Sequence, residues 1–280
     1  MGWADPKGMR SRMSAAADDI RADAGQPVIE VRDVTVRFGG VLALDGVSFD
    51  IRAGAILGLI GPNGAGKTTL FNCLSRLYTP SSGDIRLLGR TILRQPAHKM
   101  AGMGIGRTFQ NVASFHNLTV RDNVRVGAHS ASRSNVASDA LRLPSARRSE
   151  REIDRAAQEL IDWLELGEVA DRLVAGLPFG WQKRVELARA MAAKPKLLLL
   201  DEPAGGLNHD EVQELGGLIL KVRDEGDVTV LLVEHHMGLV MSVSDRVVVL
   251  NFGRKIAEGT PEEMQKHPEV ISAYLGGGDE

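Results

Sequence analysis

The sequence predicts an α/β fold organised around a buried parallel sheet, and three observations point there. Residues 55–60, 196–200, 228–233 and 246–250 are short, mostly apolar runs, the pattern of strands covered on both faces. The first runs into Gly61-Pro62-Asn63-Gly64-Ala65-Gly66-Lys67-Thr68-Thr69, after which Leu70, Phe71, Leu74 and Leu77 recur at helical spacing. At 280 residues the chain can bury a substantial core, as one large domain or two lobes.

The remaining elements follow in chain order. Residues 1–27 scatter Asp5, Asp18, Asp19 and Asp23 among alanines and arginines and lack an apolar core segment, which predicts a disordered extension rather than a secretory signal. Residues 28–38 are rich in β-branched side chains and predict a strand ended by Gly39-Gly40. Residues 47–51 predict a second, closed by Ala53-Gly54. Residues 84–88 predict a third, after the turn Pro80-Ser81-Ser82-Gly83. Together they suggest a β-rich layer wrapped around the glycine loop. Residues 128–149 are dominated by Ser, Ala and Arg, with Pro144 as an interruption, and predict a loop with short helical pieces. The basic cluster Arg142, Arg147, Arg148 and Arg151 is read as a solvated face. Ile153, Ala157, Leu160, Ile161 and Leu164 mark an amphipathic helix, and residues 211–223 read as a helix. A turn is expected at Asn251-Phe252-Gly253, and residues 277–280 form a loose tail.

Residues 61–69 fill every fixed position of the pattern G-x-x-x-x-G-K-[ST]. Glycines let backbone N–H groups turn inward and approach a polyphosphate closely. Lys67 supplies a point charge for the terminal phosphates and Thr68 a hydroxyl for Mg²⁺. A helix beginning near Lys67 aims its positive dipole end at the same anion. A second constellation stands where the run 197–200 ends. Asp201 is placed to help hold Mg²⁺, and Glu202 to orient or deprotonate an attacking water. His235 and His236 follow Val233-Glu234 at the end of another apolar run, where a histidine is placed to bond a γ-phosphate.

Composition narrows the class. Acidic and basic residues nearly cancel to a formal charge of -2, so no global basic excess points to nucleic acid. The single cysteine, Cys73, excludes an internal disulfide, fits a reducing compartment, and sits where a small buried residue is expected. No apolar run reaches the ~18 residues of a membrane span, so any membrane role is expected to act through partner chains.

Taken together, these residues resemble the nucleotide-binding subunit of ABC transporters over residues 28–276. Residues 61–69 resemble Walker A and 197–202 Walker B with its catalytic glutamate. Gln110 falls at the Q-loop, His235 at the switch histidine, residues 204–208 (with Asn208) at the D-loop, and Phe38 at the adenine-stacking aromatic. The resemblance implies an α/β P-loop NTPase fold with a RecA-like core, an antiparallel β-subdomain and a helical subdomain spanning about 111–190. It also implies an ATPase using ATP and Mg²⁺, with the ion held by Thr68, Gln110 and Asp201. Within the family, Phe71-Asn72-Cys73-Leu74, the stretches 104–111 and 118–124, Gly259-Thr260-Pro261-Glu262-Glu263 and Ala273-Tyr274-Leu275-Gly276 look like the LivG-type subunit of branched-chain amino acid importers. Relatives of this type also serve urea, short amides and aromatic acids. The implied partners are a second ATP-binding subunit (LivF-like, as a heterodimer), two transmembrane permeases and, indirectly, an external solute-binding protein. The implied place is the cytoplasmic face of the inner membrane.

One segment departs from the family. Its signature, usually Leu-Ser-Gly-Gly-Gln, is here Leu177-Pro178-Phe179-Gly180-Trp181. In the family the signature serine contacts ATP held by the opposite subunit. Pro178 offers neither a hydroxyl nor a backbone N–H, whereas Gly180 keeps its N–H and permits close approach. Pro178 also suits the first turn of a helix. Asn208 stands where aspartate is common. Two other functions compete: a non-transport ABC ATPase acting on ribosomes or DNA, and a subunit that binds ATP without hydrolysing it. A single nucleotide-binding half and the lack of sustained heptads count against the first, and Glu202 with His235 against the second.

Overall fold

The computed structural model describes residues 27–108, 116–131 and 144–275. Its centre is a six-stranded sheet in the order β10-β9-β3-β8-β7-β6. The strands are β3 (Ile56–Ile60), β6 (Ile105–Arg107), β7 (Leu197–Asp201), β8 (Thr229–Val233), β9 (Arg246–Asn251) and β10 (Arg254–Gly259). All neighbours pair in parallel except β10, which folds back antiparallel on β9 through the turn at Phe252 and Gly253. Side chains alternate across a strand, so each apolar run feeds two cores. Ile56, Ile60, Leu198, Leu200, Val230, Leu232, Val247 and Val249 face one, and Leu57, Leu59, Leu197, Leu199, Leu231, Val233, Val248 and Leu250 the other. Burial on both faces explains why these strands show no polar alternation in sequence.

The second face is covered by helix α1 (Lys67–Leu74), with Leu70, Phe71, Cys73 and Leu74 buried, and by an antiparallel sheet in the order β2-β1-β4-β5. Its strands are β1 (Pro27–Phe38), β2 (Val41–Arg52), β4 (Ser82–Leu87) and β5 (Arg90–Thr91). Three expectations need correction here. Pro27, assigned from sequence to the disordered extension, is the first residue of β1 and pairs with Arg52; residues 1–26 lie outside the described chain. The second strand is twelve residues long rather than five, because Val41 to Leu44 pair with the far end of β1. The helix after the glycine loop stops at Leu74, and Leu77 is an exposed residue beyond it.

The first face carries the helices. Short α2 (Met100–Met103), before β6, is an exception that buries Met100 on the second face. The described α-helices between β6 and β7 are α3 (Val120–Ala131), α4 (Pro144–Trp163) and α5 (Phe179–Met191). Pro144 opens α4 instead of interrupting it, because a helix's first N–H lacks an intrahelical acceptor and proline loses nothing there. Residues 132–143, Arg142 among them, and the tail 277–280 lie outside the described residues. Helix α3 packs tightly on α5 at Gly127, where a Cβ would overlap the Arg189 carbonyl oxygen. Helices α6 (His209–Gly226), α7 (Met237–Val243), α8 (Pro261–Lys266) and α9 (Pro268–Leu275) complete the chain. Among the described residues no helix is long and apolar enough to cross a membrane.

Candidate functional site

Strands β3, β8 and β7 are neighbours, so the loops leaving their carboxyl ends converge, as expected of a parallel α/β sheet. The loop after β3 contains Gly61 to Gly66. Gly61 has φ 151°, and a side chain there would overlap the Leu250 carbonyl oxygen of β9. Gly66, at φ 100°, is the N-cap of α1 and makes no side-chain cap, which leaves the first N–H groups of that helix for an external acceptor. A Cβ on Gly64 would meet no atom within 4 Å, so this edge of the loop is open. Lys67 donates to the carbonyls of Gly61 at 2.6 Å and Pro62 at 3.0 Å, which bends its ammonium back over the loop. Burial lowers the Lys67 pKa, and the charge of Glu202 opposes that. Thr68 is exposed; Pro62 and Thr69 are partly so, and Ala65 is buried.

The loop after β7 contributes two acids in different settings. The Asp201 side chain is 4% exposed and lies 3.7 Å from the Arg107 guanidinium. Burial raises the Asp201 pKa; Arg107 pulls it back, while Glu202 and Glu234 push it up again. Its Oδ2 is buried with no hydrogen-bond donor. Arg107 also donates to Asn72 at 3.0 Å and Ser75 at 2.5 Å, and stacks 4.5 Å over Phe71. It thus locks β6 to α1 beside the acid. Glu202 has a left-handed φ of 46°, unusual for a residue with a side chain, and this turns it away from the strand direction. Its N–H donates to Val233 at 2.8 Å, and its Oε1 lies 3.9 Å from His235 Nδ1. The side chains of Glu202 and His235 are 36% and 63% exposed, open to an incoming molecule.

The sequence-predicted groups thus gather unevenly. Lys67, Asp201, Glu202 and His235 come together at adjoining strand ends. Phe38 ends β1 with its ring edge-on to Tyr78 at 5.2 Å and stays half exposed. Gln110 lies outside the described residues. Pro178 is the N-cap of α5 rather than a residue of its first turn, and no side chain caps that helix. Phe179 packs against Gly206, and Gly180 sits beside the Glu211 carboxylate. Trp181 stacks under Arg184 at 5.3 Å. Among the described residues no hydrogen bond or ion pair joins 178–181 to 61–69. Asn208 caps α6 through a reciprocal box with Glu211.

Three residues not assigned a site role from sequence belong here: Arg107, the fully buried Glu234, and Tyr274 of α9. The Tyr274 hydroxyl is raised in pKa by burial, an effect opposed by its hydrogen bond with the Gly61 backbone. A charged residue ending an apolar strand was the available signal for Arg107 and Glu234.

The donor set suits Mg²⁺. A buried, donor-free carboxylate oxygen on Asp201 and the exposed hydroxyl of Thr68 are hard oxygen ligands of the kind the ion takes.

Comparison with known proteins places these features in context. Residues 44–205 match the ABC transporter family, and residues 254–280 match a family described as branched-chain amino acid ATP-binding cassette transporter. The chain is 47% identical over 251 residues to the high-affinity branched-chain amino acid transport ATP-binding protein BraF of Pseudomonas aeruginosa, covering 90% of this chain and 98% of that one. It is 45% identical over 255 residues to the corresponding LivG protein of Escherichia coli K12, with the same coverage. A nucleotide-free ATP-binding cassette from an ABC transporter superposes with a TM-score of 0.78 at 27% identity, covering 89% of this chain and 99% of that one. The ADP conformation of MJ1267, an ATP-binding cassette of an ABC transporter, also gives 0.78 at 27% identity, over 90% and 99%.

Proposed function

The chain belongs to the ABC transporter family, and on that footing we propose that it is the ATP-hydrolysing subunit of an importer for branched-chain amino acids or a related small polar solute. The observation that carries this is the meeting of Lys67, Asp201, Glu202 and His235 at the ends of three adjacent parallel strands. The named relatives are transport proteins, which leaves the ribosome or DNA reading without support.

Residues 61–69 hold the phosphates of ATP through backbone N–H groups, the α1 N-terminus and Lys67, and Phe38 stacks on the base. Thr68 and Asp201, with Gln110, would hold Mg²⁺, which neutralises charge on the β- and γ-phosphates when bound. Glu202 orients or deprotonates the attacking water, and His235 steadies the γ-phosphate. The site works as half of a pair: a second ATP-binding subunit closes over it, and closure is passed to two permeases at the cytoplasmic face of the membrane.

The partner ATPase is a different chain, LivF-like, and the two sites are unequal. Pro178 supports this, since it removes both hydroxyl and N–H from the segment this chain presents to its partner's ATP. The test is turnover in the assembled, solute-stimulated transporter. Glu202→Gln is expected to remove most ATP hydrolysis, and the matching change in the partner to matter less. Equal losses refute the asymmetry, and unchanged turnover in Glu202→Gln refutes the assignment of the base.

A further inference from the structure

Glu234 follows β8 and its side chain is completely buried. Removing a carboxylate from water costs several kcal/mol unless its lone pairs are filled. Three backbone donors fill them here. Oε1 accepts from Ala204 N–H at 2.7 Å, while Oε2 accepts from His235 N–H at 2.9 Å and His236 N–H at 3.0 Å. The same carboxylate oxygen lies 3.8 Å from His235 Nδ1. One buried group therefore holds the loop that follows Glu202 and the loop that carries His235, thirty residues apart in sequence.

The neighbouring bonds show what this tie controls. Glu202 N–H is held by Val233, the residue before Glu234, and Gly205 N–H is held by Glu202. The backbone around Glu202 is thus pinned on both sides, which sustains its left-handed φ of 46°. An apolar side chain would fill this space at lower desolvation cost, but could not bond to three N–H groups at once. We propose that Glu234 is a positioning residue for ATP hydrolysis, a carboxylate strut that fixes His235 relative to Glu202. The proposal rests on the hydrolytic reading above.

The experiment measures ATP turnover by the assembled transporter, and ADP affinity, for Glu234→Asp, Glu234→Gln, His235→Ala and the double variant Glu234→Gln/His235→Ala. Aspartate still bonds its own backbone two residues on, but falls one methylene short of Ala204. Both Glu234 variants are expected to bind ADP like the wild type, showing an intact fold, and to lose about 10²-fold in kcat with little change in KM, the scale of a small misplacement. The double variant is expected to be no slower than His235→Ala, because residues acting as a unit are not additive. Wild-type turnover in Glu234→Asp beside an inactive His235→Ala overturns the proposal alone. So do losses that multiply in the double variant. Unchanged turnover in His235→Ala overturns the role given to His235 in the reading above, and the proposal with it, while loss in His235→Ala leaves the Glu234 variants to decide the proposal alone.

Discussion

Replacing Arg107 with methionine tests the electrostatics of the site directly. Methionine keeps an unbranched side chain over Phe71 and removes the charge. The side chains of Arg107 and Asp201 are 13% and 4% exposed, so solvent screens the pair little. Breaking a buried pair costs about 3–5 kcal/mol, and the 3.7 Å separation places this one at the low end. Lost hydrogen bonds to Asn72 and Ser75 add about 1 kcal/mol each. A total near 5 kcal/mol corresponds to a melting temperature lower by about 10–15 °C for a chain of this size. The effect has a pH signature. Burial raises the Asp201 pKa above its unfolded value, so ionisation of Asp201 costs stability. That cost is absent below the unfolded pKa and complete above the folded one. Losing Arg107 raises the folded pKa further. The stability gap between wild type and variant should therefore widen as pH climbs through this range and shrink toward acid. Denaturant melts of the nucleotide-free chain at about pH 5 and about pH 8 measure it. A loss under ~1 kcal/mol, or a gap that is flat or wider in acid, refutes the reasoning.

Other outcomes are as definite. Gly127→Ala should destabilise by about 1–3 kcal/mol, because its Cβ overlaps the Arg189 carbonyl where α3 meets α5. Gly217→Ala, in α6 with no atom within 4 Å of the added methyl, should stabilise by about 0.5–1 kcal/mol; thermal melts of the pair check both. Asn208→Ala should cost about 1 kcal/mol by removing the capping box of α6, seen as a lower denaturation midpoint. Burial pushes the Cys73 thiol up to about 11, so a chromogenic disulfide reagent at neutral pH should react only after unfolding; prompt reaction in the native chain contradicts that burial.

The glycine loop was legible in sequence because its chemistry is local: nine consecutive residues carry the turn, the charge and the hydroxyl. The central strands were legible because burial on both faces leaves an apolar run that needs no partner to recognise. The front of β2 was not, since Val41 to Gly46 lacks clean alternation and is strand only through pairing with β1. Pro144 misled because proline's effect depends on whether it stands inside a helix or at its start. Glu234 was invisible as a strut, because its meaning lies in an N–H thirty residues away. Arg107 was seen only as part of a family motif, although its partners are Asn72, Ser75 and Asp201.

The contact between Tyr274 and Gly61 makes the last described turn of the chain a natural place for an optical sensor. Ser272 is exposed and two residues from that contact. Cys73 is shielded, so a thiol introduced as Ser272→Cys would be the one a dye reaches. Fluorescence from that dye would follow what happens at the phosphate loop, turning helix α9 into a built-in readout of nucleotide arrival.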